Sequence, residues 1–381
     1  MVKMLKICAL IILIAISAHG LSYPYWYYGT TTDNNNSRDD AMFIRTVWED
    51  QDFAFQIGRL ATARSYHQRV EIALEYERLY SVNFVKDLEH SKLRGETRKL
   101  MQGLFSYLPD YYAVEINRAV IGLGTDEMAL NDVLCCLNDI TVDDIRYEYR
   151  RRFGSSMDVD ILDDVSGEYE ILLGDIIALR RLTWPHEDEI VELITKDFTD
   201  ATLGTVPDSW FFSRSDYQTI KKASYQFELS DNNGINLSTY FNIKVLYRDD
   251  LTEMLRSIAS FAEDPAKYYA ERLWQALEEG DNARLTRIIV SQAYSQENLE
   301  KLNSALEVLA DVREVTSWIM QGNPGQGDPF HRYLLQNLLQ GNVIETQEYM
   351  GSIKFTPQSH PTFIHTREYF RSFLGDLVVF E

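Results

Sequence analysis

The sequence predicts an all-α fold built from four internal repeats, and three observations carry that expectation. Apolar residues recur at helical spacing, as in Ile116, Ala119 and Val120 and again in Leu130, Val133 and Leu134, the pattern of an amphipathic helix. Prolines are scarce and fall between the helical stretches, at Pro109, Pro185 and Pro265, where a fixed φ and a missing N–H do no harm. From about Arg38 the chain divides into four blocks of roughly 70–80 residues, and internal repetition of that kind governs how the whole chain packs.

The N-terminus reads as a separate element. Lys3 and Lys6 form a charged start, Ile7 to Ala18 an apolar stretch, and Ala18-His19-Gly20 offers small residues at a cleavage site. That stretch is too short for an ordinary span and has the layout of a cleavable signal peptide over residues 1–20. The expected location is therefore secreted or extracellular, with peripheral membrane attachment in view. Residues 21–38 follow as an irregular tail rich in Tyr and Asn.

Charge narrows the partners. The full chain carries −21, and loss of Lys3 and Lys6 with the signal takes it from −21 to −23. Such a surface repels nucleic acid and acidic membranes unless cations intervene. Cys8 leaves with the signal, while Cys135 and Cys136 sit in an apolar helical run and read as buried small hydrophobes. Two sequons, Asn35-Asn36-Ser37 and Asn236-Leu237-Ser238, are glycan acceptors if the chain is exported.

The most informative stretch is Ala119-Val120-Ile121-Gly122-Leu123-Gly124-Thr125-Asp126-Glu127, followed at a distance by Asp164-Val165-Ser166-Gly167. Calcium takes six to eight oxygens at roughly 2.3–2.6 Å, which backbone carbonyls and a bidentate acid supply. Gly122 and Gly124 let the backbone reverse and aim its carbonyls outward. Thr125 is the expected N-cap of the next helix, with Asp126 and Glu127 in its first turn.

The run from Tyr111 to Leu173, including Arg151-Arg152-Phe153-Gly154-Ser155-Ser156 and Asp164-Val165-Ser166-Gly167-Glu168-Tyr169, resembles a complete annexin repeat. Ala63-Arg64-Ser65-Tyr66-His67-Gln68-Arg69 in the first block and Tyr268-Tyr269-Ala270-Glu271-Arg272-Leu273-Trp274-Gln275-Ala276 in the fourth also resemble that family. The resemblance covers about residues 39–341. It implies repeats of about five short helices packed as a curved disc, over 39–107, 108–183, 184–262 and 263–341. It also implies a Ca2+ site bridging to acidic phospholipid, with the carbonyls of Val120, Gly122 and Gly124 and the carboxylate of Asp164 as ligands.

The other blocks depart from the pattern. In the first, Glu49 and Gln51 stand where the glycines belong, and Ser91 or Lys92 where the acid belongs, so no site is expected. The third keeps only Gly204, its acid position falls near Leu246 with Asp249 and Asp250 close by, and its first helix is expected to be short. The fourth reads Glu278-Glu279-Gly280-Asp281-Asn282, with Gly322 to Asp328 replacing the distal acid. Asp158, Asp160 and Asp163 lack the EF-hand's glycine and final glutamate and read as solvated charge. Residues 342–381 form an extension in which Ile364 to Leu377 suits one amphipathic helix packed on the disc.

His360 and His365 flank Pro361, yet no catalytic pairing or nucleophile motif occurs, so no enzyme activity is expected. Two functions remain open. One is calcium-dependent binding to acidic phospholipid through the second block. The other is a calcium-independent extracellular role, structural or directed at a host or a protein or glycan partner.

Overall fold

A computed structural model describes residues 37–137, 141–178, 181, 186–200, 209–230, 234–243, 249–309 and 329–341. Among them the chain is all helices and turns, without strands. The signal, the tail as far as residue 36, Gly204, Leu246, Gly322 to Asp328 and the extension with His360 and His365 lie outside the described residues.

The first block folds as α1 (Ser37–Thr46), α2 (Phe53–Ala63), α3 (Tyr66–Tyr80), α4 (Phe84–Asp87) with a 3-10 turn (Leu88–His90), and α5 (Gly95–Leu104). The second repeats that order as α6 (Leu108–Val120), α7 (Glu127–Leu134), α8 (Val142–Phe153), α9 (Met157–Leu162) and α10 (Gly167–Ala178). Matching internal bonds mark the equivalence: Tyr76 donates to Asp87 in one block and Tyr149 to Asp160 in the other, both at 2.7 Å. Capping boxes open the third helix of each, Ser65 with Gln68 and Thr141 with Asp144, each box satisfying two N–H groups that the helix start leaves unpaired.

The third block supplies α11 (Glu187–Asp200), α12 (Trp210–Arg214), α13 (Tyr217–Ser230), α14 (Leu237–Ile243) and α15 (Asp250–Glu263). Its first helix is not short. It runs 14 residues and buries Val191, Ile194, Thr195 and Phe198 on one face. The short element is the second helix, of 5 residues. The expectation of a short first helix in this block is therefore wrong.

The fourth block has α16 (Pro265–Glu279), α17 (Asn282–Gln292), α18 (Gln296–Leu309) and α19 (Pro329–Gln340). Asp249, Asp264 and Asp281 each accept an amide at the start of the helix they precede.

One core runs through all four blocks. Ile116, Ala119, Leu130, Val133 and Leu134 are buried in it, and Val120 packs against its edge. Cys135 and Cys136 are buried free thiols. Burial and its near neighbour Cys135 raise the Cys136 thiol well above its ordinary value, which leaves it a protonated, unreactive packing group.

The second and fourth blocks meet through buried charge. Arg284 donates to Asp132 at 3.2 Å, and Arg287 donates to Asp132 at 3.1 Å and to Glu115 at 3.2 Å. Arg69 ties the first block to the fourth by donating to the carbonyl of Ala293 at 2.7 Å. Among the described residues no helix is long and apolar enough to cross a membrane.

Candidate functional site

The candidate site is the turn from α6 to α7 together with the turn from α9 to α10. Helix α6 stops at Val120 because Ile121 turns to an extended conformation, and Gly122 and Gly124 then take φ of +122° and +84°. A Cβ added at either glycine would meet nothing within 4 Å. Their requirement is therefore one of backbone conformation, which costs an L-residue about 1–2 kcal/mol. The Asp126 amide closes the loop by donating to the Ala119 carbonyl at 2.9 Å.

Asp126, not Thr125, is the N-cap of α7, accepting from the Ala129 amide at 2.9 Å. Thr125 is engaged elsewhere. Its hydroxyl lies 2.8 Å from the main-chain oxygen of Asp164 and 2.7 Å from Oδ2 of the same residue. Threonine is a favoured cap by residue type, but here the tertiary contact with Asp164 engages its hydroxyl instead. Glu127 stands in the first turn of α7 as expected.

Asp164 follows the short helix α9 and is held by its own amide, which donates to the Ile161 carbonyl at 3.1 Å. Beneath the loop, the buried Tyr169 hydroxyl from α10 donates to Asn131 Oδ1 at 2.8 Å and lies 3.3 Å from the Glu127 carbonyl. Burial raises its pKa above the ordinary tyrosine value, so it stays a proton donor. These bonds fix α10, and Asp164 before it, against α7.

The loop backbone is exposed and little used by internal bonds. Among the described residues, the carbonyls of Val120, Gly122 and Gly124 accept no hydrogen bond. Residues 121–124 are exposed, and Leu123 at the tip is fully so, with Ile121 69 % exposed. Among the described residues no group of three or more His, Cys, Asp or Glu side chains gathers as a metal centre. A cation here would rely on main-chain oxygens and one carboxylate, a donor set suited to a hard cation such as Ca2+. The four positions read from the sequence are thus brought to two adjoining turns joined by Thr125.

The neighbouring aspartates are more engaged than sequence suggested. Asp158 accepts from Arg146 at 2.9 Å, and Asp160 accepts from Tyr149 at 2.7 Å and Ser155 at 2.6 Å. Only Asp163 is plain exposed charge. All three brace α8 against α9 or face solvent, and none joins the loop.

Equivalent turns in the first and fourth blocks differ. Around 47–52 the first block has no glycine and Lys92 reaches into the turn. In the fourth, Gly280 and Asp281 make a tight two-residue turn, with the Asp281 amide donating to Ala276.

Comparison with known proteins agrees with this architecture. A sequence model of the annexin family matches residues 111–176. Annexin A5 of Mus musculus is 30% identical over 291 residues, spanning 70% of this chain and 85% of that protein. Annexin A13 of the same species is 26% identical across 62% of this chain and 76% of its own length. Among solved structures, annexin III superposes with a TM-score of 0.66 at 19% identity, covering 81% of this chain and 95% of that one. A calcium-bound annexin (Sm)1 does so at 0.65 and 17% identity, covering 81% and 91%. The repeated five-helix order, the shared core and these matches together place the chain in the annexin family.

Proposed function

We propose that this protein binds acidic phospholipid membranes in a calcium-dependent manner through the second-repeat loop. Annexins generally bind Ca2+ and phospholipid and are generally not enzymes. The observation that carries the reading is the loop itself: an exposed turn whose Val120, Gly122 and Gly124 carbonyls accept no hydrogen bond among the described residues, beside a carboxylate held in place by Thr125. Val120, Gly122, Gly124 and Asp164 would hold the ion. A bound cation supplies the positive charge that a chain of −21 lacks at an acidic surface.

Three carbonyls and one carboxylate make a weak site, of the order of 10⁻⁴ to 10⁻³ M as in extracellular calcium modules. That affinity suits the secreted location we infer from residues 1–20. Ile121 and Leu123, exposed at the tip, add apolar surface where a bilayer would meet the loop.

Calorimetric titration with Ca2+ tests the site. Wild type should bind with millimolar-range affinity, and Asp164→Ala should lose that heat while keeping its helical circular dichroism. Equal heats from both proteins would contradict the assignment. Vesicle binding that ignores a chelator would instead favour a calcium-independent extracellular role, which the altered first-repeat turn suits.

A further inference from the structure

Repeats one and two can be set in register by their own bonds. The Tyr76–Asp87 and Tyr149–Asp160 pairs correspond, and so do Gly95 and Gly167, which open α5 and α10 with φ of +50° and +72°. Lys92 stands three residues before Gly95 (95 − 92 = 3), as Asp164 stands three before Gly167 (167 − 164 = 3). Lys92 lies five residues after Asp87 (92 − 87 = 5) and Asp164 four after Asp160 (164 − 160 = 4), so repeat one has one extra residue in the stretch 88–91 that includes the 3-10 turn Leu88–His90. Ser91, the other sequence candidate, is buried there, donating to the Leu88 carbonyl at 2.7 Å. Lys92 is the positional counterpart of the acid.

Its ammonium does what a metal ion would do. Lys92 Nζ donates to the carbonyl of Glu49 and, at 3.2 Å, to the carbonyl of Asp50, both in the turn between α1 and α2. That turn is the counterpart of the Gly122–Gly124 loop. It also carries the carboxylates of Asp50 and Asp52, both within reach of Gln56 Nε2 at 3.4 and 3.0 Å. Burial and the neighbouring Asp52 raise the Asp50 carboxyl, and Lys92 works against that rise. An ammonium is a compact point charge with three donors, able to satisfy converging oxygens that would otherwise repel one another.

We propose that Lys92 is a tethered substitute for a divalent cation, and that the first-repeat turn is a latent site for a hard divalent ion held shut by this side chain. The proposal rests on the second-repeat reading only for which positions correspond. Repeat one is then closed at any calcium concentration, and calcium dependence is confined to loops that lack such a lysine. Replacing the ammonium by a carboxylate removes the occupant and adds the missing ligand in one step.

Tb3+ serves as the probe, because Trp48 lies at the start of the turn and can sensitise its emission, and Trp48→Phe identifies that signal. Work in the Asp164→Ala background removes the second-repeat ion. Asp164→Ala alone should show no Trp48-sensitised emission. Asp164→Ala with Lys92→Glu should gain one bound ion per chain with such emission, displaced by millimolar Ca2+, and Lys92→Met should bind more weakly than Lys92→Glu. Emission from Asp164→Ala with Lys92 intact would overturn the proposal, as would a Lys92→Glu protein of unchanged helicity that gains no ion. Failure of the second-repeat reading would show separately, as an unchanged ion count between wild type and Asp164→Ala.

Discussion

Thr125 and Asp164, 39 residues apart in sequence, are joined by a single hydroxyl that lies 2.8 Å from the main-chain oxygen and 2.7 Å from Oδ2 of the aspartate. The bond locks the loop after α6 to the turn before α10. It orients the carboxylate without consuming it, since an ionised carboxylate has about four acceptor positions. Thr125→Val should therefore fold normally and weaken Ca2+ binding about fivefold, the worth of one net hydrogen bond of about 1 kcal/mol. Thr125→Ser should retain most of the affinity. Calorimetric titration of the three proteins checks this.

Packing of the first repeat on the fourth turns on a missing side chain. A Cβ at Gly103 would lie 2.5 Å from a Val290 methyl and 3.1 Å from the Tyr111 ring. Valine is stiff at χ1, so the clash is not relieved by rotation. Gly103→Ala should destabilise by about 1–3 kcal/mol, read as a lower Tm. Val290→Ala in the same chain should restore part of the loss.

The buried charges between the second and fourth repeats give a larger effect. Arg284 is fully buried, and its Nε and Nη1 find no partner among the described residues, so Asp132 carries its neutralisation. Asp132→Ala leaves Arg284 and Arg287 facing each other without that acid, and should cost about 3–5 kcal/mol. Urea unfolding would register it as a lower midpoint, with Asp132→Asn falling between the two.

Glu253 sets an acid limit. Burial pushes its carboxyl up, but hydrogen bonds and charge from Arg256 and Arg272 outweigh burial and hold it at about 2, against an ordinary 4.5. A depressed carboxylate stabilises the fold above its unfolded value and loses that contribution as pH falls through the folded one. Wild type should thus exceed Glu253→Gln by about 3 kcal/mol at neutral pH, with the gap closing between about pH 4.5 and 2. Thermal melts across that window measure it.

Much of this was legible in the sequence. Helical spacing marks the core faces of α6 and α7, and the glycine pattern marks the loop between them. Local signals failed where tertiary contacts compete with them. Thr125 reads as a cap by propensity, yet Asp164 claims its hydroxyl and Asp126 caps the helix. Asp158 and Asp160 read as solvated charge because their partners, Arg146 and Tyr149, sit on another helix. The cluster of Glu115, Asp132, Arg284 and Arg287 joins residues up to 172 positions apart, and spacing carries no trace of such a pair. An ammonium at position 92 reads as a non-ligand from the sequence, but its bonds to the Glu49 and Asp50 carbonyls depend on the fold.

Co-sedimentation with phosphatidylserine vesicles tests most directly whether the second-repeat loop couples calcium to the membrane. Wild type should pellet with vesicles in millimolar Ca2+ and remain in solution with chelator, and Asp164→Ala should stay in solution under both conditions. Pelleting that persists in chelator, or that Asp164→Ala leaves unchanged, would contradict that coupling.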